Sequence, residues 1–341
     1  SLAHVARGAD GICFFQWRAS LQGSEKFHSA LVPHAGTDTV LWREVVALGA
    51  TLDRLGEVTG SRVVADAAIL FSWESWWAGD GESRPSHAVR YLDQVHAAYT
   101  ALHELGVTVD VVSPDADLSG YRLVVVPTLY LVSDAQAENL SAYVAAGGHA
   151  LITFFSGIVD EDDRVRTGGY PGAFREILGI TVEEFSPLLP GHVLALDSGA
   201  AASLWSERLR VDTAEVVASY LDGPLPGTPA ITRNRHGDGT AWYVATALEA
   251  GALRDLVRTI AQHARVTMLG PERGGTSKRT GTIEVVRRVG ATNSYLFIIN
   301  HGPDDVELPA NGHELVTDEP VGRIMRVPAG AVRVIREDLA L

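Results

Sequence analysis

The sequence predicts an α/β protein in three parts: the final βα unit of a (β/α)8 (TIM) barrel, a doubly wound parallel sheet, and a small antiparallel β sandwich. Three observations predict it. A glycine-bounded apolar run at 11–15 precedes a helical apolar stripe at 41–55. Between 61 and 265, buried-strand runs alternate with helical ones, the signature of βαβ units. From about Val266 the helical stripes stop, and short strands with turn residues take over. The parts are therefore drawn at 1–60, 61–265 and 266–341.

In the first part, Gly11, Ile12, Cys13, Phe14 and Phe15 read as a strand buried on both faces. Cys13 is expected to be a small buried hydrophobe. Polar groups take over at Gln16 and Arg18, where such a strand ends. Barrel enzymes gather ligand-binding side chains at that end and on the loop after it. Trp17 there is either a pocket wall or a packing residue. Glu25 and His28 are three apart, so a helical turn puts them on one face. A carboxylate beside an imidazole accepts from and donates to adjacent sugar hydroxyls. His34, after Pro33, either supports this loop or is structural. Leu41, Val45, Leu48, Leu52 and Leu55 form a single helical stripe, with Asp38 as N-cap and Gly56 or Gly60 as terminator. A full barrel takes roughly 250 residues. Far fewer precede the second part, so only the end of a barrel is expected here.

The run FFQWRASLQGSEKFHSALVPHAG, Phe14 to Gly36, is similar to the last barrel strand and loop of glycoside hydrolase family 42 β-galactosidases. The resemblance continues along the whole chain: barrel end, flavodoxin-like (glutamine-amidotransferase-like) trimerisation domain, C-terminal β domain. It implies retaining hydrolysis of terminal non-reducing β-D-galactose residues by the whole enzyme. It implies that Glu25 and His28 bind the galactose, with Lys26, Phe27 and Trp17 around them. It also implies a homotrimer. In that family the two catalytic carboxylates and a cysteine-rich metal site lie upstream of this motif. No catalytic residue, metal site or cofactor is therefore expected in this chain, and it is expected to be inactive alone.

In the middle part, residues 67–71, 107–112, 123–127 and 150–155 read as strands. Residues 89–105, 135–146 and 251–264 read as helices. Arg235, His236, Gly237, Asp238 and Gly239 give a turn signal between two extended runs. Ser156 falls where an amidotransferase-like fold carries its nucleophile, but no Gly-X-Ser-X-Gly elbow surrounds it. No glycine-rich phosphate loop follows any strand. A scaffold and oligomerisation domain is the reading that remains. Trp73, Trp76 and Trp77 are either core or interface anchors, or contacts that reach a neighbouring subunit's sugar. The acidic run at 160–163 matches no EF-hand spacing and reads as a solvated loop.

The C-terminal part shows strands at 282–288, 294–300, 314–317 and 332–335. Tyr295 and Phe297 are two apart, on one strand face, where packing is the default. A structural appendage is expected rather than a carbohydrate-binding module.

Composition sets the outer limits. The 341 residues are 46% hydrophobic, enough for two or three cores. A net charge of −14 with no basic patch disfavours nucleic-acid binding. A single cysteine gives no internal disulfide. No apolar run is long enough to span a membrane and no signal pattern opens the sequence, so a cytoplasmic protein is expected. Two functions from different classes stand. One is the C-terminal part of a β-galactosidase, supplying galactose-binding residues and the trimer scaffold. The other is a standalone non-catalytic protein for oligomerisation or carbohydrate binding, derived from such an enzyme.

Overall fold

The computed structural model describes residues 1–270 and 282–338, which fall into two compact units: 1–64 with 270 and 282–338, and 65–269. The first unit opens with helix α1 (Leu2–Ala6), then α2 (Val40–Arg54), a 3-10 turn at Gly56–Val58, and strand β1 (Arg62–Val63). Thr39, not Asp38, caps α2: its hydroxyl accepts the Trp42 N–H at 3.3 Å, while Asp38 pairs with Arg43 at 3.1 Å. The expected stripe is only partly used. Leu55 is buried and Val45, Leu48 and Leu52 are half-buried, but Leu41 is exposed.

The strand expected at 11–15 does not form. The stretch is irregular, with a bend at Phe15, and it joins no sheet among the described residues. Phe14 and Phe15 are exposed, and so is Cys13, expected to be buried. Apolar composition reports a preference for burial. It does not report whether a partner backbone is present to complete the ladder.

In the second unit, β2 (Ala67–Leu70), α3 (Trp73–Gly79), α4 (Tyr91–His103), β3 (Val109–Val112), β4 (Leu123–Val126), α5 (Asp134–Ala145) and β5 (His149–Thr153) follow in turn. After them come α6 (Arg175–Leu178), β6 (Ile180–Pro187), β7 (Val193–Ala195), β8 (Ala201–Ser203), β9 (Trp205–Val211) and β10 (Glu215–Ser219). The unit closes with β11 (Pro229–His236), β12 (Gly239–Val244), β13 (Ala247–Leu248) and α7 (Ala250–His263). The main sheet runs β10-β11-β12-β5-β4-β2-β3, and the five strands from β12 to β3 are parallel. Its central strands are the continuous apolar runs. Residues 67–70 and 123–126 are all at most 2% exposed, as both-face burial requires. At the edge, β3 exposes Asp110 and Val111. Ser133 and Gln136 form a reciprocal capping box on α5. The β11–β12 turn depends on Gly237, at φ +58°, where a Cβ would collide with the Ala145 backbone. The long excursion from β6 to β10 carries no helical period and is not evident from the sequence.

The first unit resumes with β14 (Ile283–Val289), β15 (Asn293–Asn300), β16 (Val306–Pro309), β17 (Gly312–Glu314), β18 (Glu319–Val321), β19 (Ile324–Val327) and β20 (Val332–Asp338). They form a six-stranded sheet, β1-β14-β15-β20-β17-β18, and a two-stranded ribbon, β16-β19. The region is sheet-rich, as expected, but of the strand expected at 314–317 only Glu314 is in a strand, and 315–317 are in a turn. The buried Glu314 carboxylate accepts the N–H groups of Val316 and Thr317 and folds the chain back. Tyr295 and Phe297 both pack into a core with Val5, Leu55, Val58 and Val334. No helix among the described residues is long and apolar enough to cross a membrane.

Candidate functional site

The segment from Gln16 to Gly36 is hung on a short backbone bracket. Gln16 O accepts the Leu31 N–H at 2.9 Å, Trp17 O accepts the Val32 N–H at 2.8 Å, and Ala19 N–H donates to Val32 O at 3.0 Å. Val32, Ala19 and Ala30 are buried and anchor the bracket. Everything from Leu21 to Ser29 projects from it and is exposed.

The projecting part closes as a single turn, in which the His28 N–H donates to Glu25 O at 3.0 Å. The turn brings Glu25 and His28 together, as their spacing of three predicts. Neither the Glu25 carboxylate nor the His28 imidazole has a hydrogen-bond partner among the described residues. Aromatic rings flank the loop. Phe15 meets the His28 ring edge-on at 6.2 Å, Phe27 meets His34 at 6.4 Å, and Lys26 lies 5.2 Å from the Phe27 ring centre. His34 Nε2 lies 2.8 Å from Ser20 O and braces the loop base. Trp17 is 63% exposed and packs edge-on against Trp42. The projecting part, Leu21 to Ser29, thus offers one carboxylate, one imidazole, one ammonium and an aromatic face, a set suited to polyhydroxylated ligands.

The tryptophan cluster in the second unit divides. Trp76 is half-buried against the core, and its indole N–H donates to Asp80 at 3.2 Å. Trp73 and Trp77 are 54% and 66% exposed on α3, with their rings 6.2 Å apart and tilted by 41°. Ser156 is fully buried, its hydroxyl accepting the Leu129 N–H at 3.0 Å, which does not suit a nucleophile. In the acidic run, Asp160 folds its own loop by accepting the N–H groups of Asp162 and Arg164. The Arg164 N–H is the main reason its carboxyl sits below the usual range.

Two buried polar centres lie outside the residues singled out from sequence. Arg288, fully buried, bonds to Asp10, Ser61 and the backbone of Val5 and Ala9. Its parity with Val286, which faces Phe297 across the ladder, is the signal that puts it on the core side. Glu207, also fully buried, accepts from Trp205 and Tyr243. Nothing in the sequence around it marks that burial.

Family models match three stretches of the chain: "Beta-galactosidase" over 1–55, "Beta-galactosidase trimerisation domain" over 65–267, and "Beta-galactosidase C-terminal domain" over 282–337. The class so defined is that of the glycoside hydrolases. Within it, the chain belongs to the family 42 β-galactosidases. A β-galactosidase from Arthrobacter is 48% identical over 99% of this chain, and β-galactosidase BgaB from Geobacillus is 40% identical over 100% of this chain. A β-galactosidase crystal structure from Bacillus circulans superposes over 99% of the chain with a TM-score of 0.92 at 35% identity. The matches take in 48%, 50% and 51% of those proteins, so the chain spans about half the length of the relatives it matches.

Proposed function

We propose that this chain is the C-terminal part of a retaining β-galactosidase that removes terminal non-reducing β-D-galactose residues. In this reading residues 1–60 end the catalytic barrel, 61–265 form a flavodoxin-like scaffold and 266–341 a C-terminal β domain. Glu25 and His28 bind adjacent galactose hydroxyls, Trp17 and Phe27 pack against the sugar's apolar face, and Lys26 lines the rim. The observation that carries this is the Glu25–His28 turn, whose carboxylate and imidazole have no hydrogen-bond partner among the described residues. Retaining hydrolysis needs two carboxyl groups about 5–5.5 Å apart. The 16–36 loop holds one carboxylate, Glu25, so the catalytic pair belongs to other parts of the enzyme. This chain by itself is inactive.

The scaffold reading rests on the second unit. Counted along the chain, its parallel strands lie in the order 2-1-3-4-5, the flavodoxin order. Together with the trimerisation-domain match, this supports a cyclic trimer in which Trp73 and Trp77 meet a neighbouring subunit or its sugar. We place the enzyme in the cytoplasm. The experiment is galactose inhibition of the full-length gene product that carries this sequence. Wild type should bind galactose, and Glu25→Ala should weaken that binding about tenfold or more. Equal inhibition constants remove Glu25 from the site.

A further inference from the structure

Arg288 lies on β14 with no exposed surface. A buried guanidinium carries five N–H donors, and each one left unpaired is costly. Here all five are paired. Nε donates to Ser61 Oγ at 2.9 Å. Nη1 donates to Val5 O at 2.7 Å and Ala9 O at 3.0 Å. Nη2 donates to Asp10 Oδ1 at 2.6 Å and Ser61 O at 2.7 Å. The second Asp10 oxygen accepts the Gly60 N–H at 3.1 Å.

These partners occupy two places in the chain, 5–10 and 60–61. They are the two ends of the stretch 11–59, which holds the Glu25–His28 loop and α2. One side chain from the C-terminal sheet therefore ties the neck of that stretch shut. Between neck and loop tip stand the backbone bracket from Gln16 to Val32 and the His34–Ser20 contact at its base. The loop tip makes almost no side-chain hydrogen bonds of its own, so its placement follows from these stems.

We propose that Arg288, acting through Asp10 and Ser61, is a positioning residue for the galactose-contacting loop. This rests on the reading of Glu25 and His28 as galactose binders. Binding and catalysis lose efficiency when a contacting group shifts by about 1 Å, so an opened neck weakens sugar affinity without removing any group that touches the sugar. Arginine is required because its rigid fork spans two chain segments. A lysine supplies three donors from a single point.

The test uses the full-length gene product with Asp10→Asn, Ser61→Ala and Arg288→Lys, beside Glu25→Ala. The expected result for Asp10→Asn is a KM for a chromogenic β-galactoside and a galactose inhibition constant both raised about threefold to tenfold, with a smaller change in kcat. Backbone amides at 16–32 should exchange faster in the same protein. A purely structural role would lower thermal stability and the active fraction and leave KM, galactose inhibition and exchange at 16–32 as in wild type. That result overturns the proposal. If Arg288→Lys does not fold, Asp10→Asn and Ser61→Ala decide the matter by the same readouts. Should Glu25→Ala leave galactose inhibition unchanged while exchange at 16–32 rises in Asp10→Asn, the tether stands but the site reading fails, and the positioning role falls with it. If Glu25→Ala loses affinity and Asp10→Asn does not, the positioning role alone fails.

Discussion

Tyr243 donates its hydroxyl to Glu207 at 2.6 Å in the interior of the parallel-sheet unit. The bond ties β9, on the long excursion, to β12 in the main sheet. The other carboxyl oxygen accepts the Trp205 indole N–H at 2.8 Å, and the Phe155 N–H also reaches the group. Burial outweighs these donors and pushes the Glu207 pKa from 4.5 up to about 7. A carboxyl whose pKa is raised by folding stabilises the fold in its neutral form. Its contribution is complete below about pH 4.5, declines as the pH rises and is lost above about 7. At about 1.4 kcal/mol per pH unit, the amount is on the order of 3 kcal/mol. Thermal unfolding of the chain should therefore show Tm falling between pH 4.5 and 7. Glu207→Gln should flatten that fall. Parallel profiles for the two proteins would show that Glu207 titrates normally.

The loop makes a kinetic prediction for the full-length gene product. A charge-assisted hydrogen bond contributes roughly 1.5–3 kcal/mol. Glu25→Ala should lower kcat/KM for a β-galactoside by about one to two decades or more, with the fold intact. His28→Ala should act in the same direction. Circular dichroism and Tm at wild-type values, together with unchanged kcat/KM, would take both residues out of the site.

How far the sequence could be read depended on whether a feature is local. Residues 67–70 and 123–126 are continuous apolar runs, and a run of that kind with short flanking turns has few uses other than a central parallel strand. The Glu25–His28 turn was legible because a spacing of three is itself a geometric statement. The run at 11–15 misled because its pairing depends on backbone far away in sequence, which composition does not encode. Arg288 and Glu207 were hidden for a related reason. Their burial is made tolerable by partners at Asp10 and Ser61 in one case and Tyr243 in the other, all distant along the chain. The turn at 315–317 arises from one carboxylate, Glu314, capturing the amides just after it, an option that strand propensity ignores.

Activity of the chain by itself offers a sharper test of the division of labour. The loop carries one carboxylate and no second carboxyl group to complete the acid/base and nucleophile pair. Purified protein of this sequence should not release nitrophenol from a chromogenic β-galactoside. Turnover that disappears in Glu25→Gln would assign Glu25 to the chemistry itself and overturn its role as a hydroxyl binder.

Assembly is the remaining prediction. In the second unit Trp73 and Trp77 are exposed side by side on α3, with Trp76 rooted in the core beneath them. Paired, exposed tryptophans on a well-anchored helix are the kind of group that dominates subunit contacts. A cyclic trimer uses heterologous contacts that close after three copies, and obligate interfaces of this kind bury about 2,000 Å² or more. Light scattering should give three times the 36.5 kDa chain mass at micromolar concentration. Trp77→Glu puts a charge where the contact must be dry, and it should shift the protein toward monomer without disturbing the core of the subunit, since Trp77 is 66% exposed in the single chain. A clean monomer in the unsubstituted protein would refute the scaffold reading. A trimer that survives Trp77→Glu would move the interface away from α3 and leave the exposed tryptophans to contact sugar.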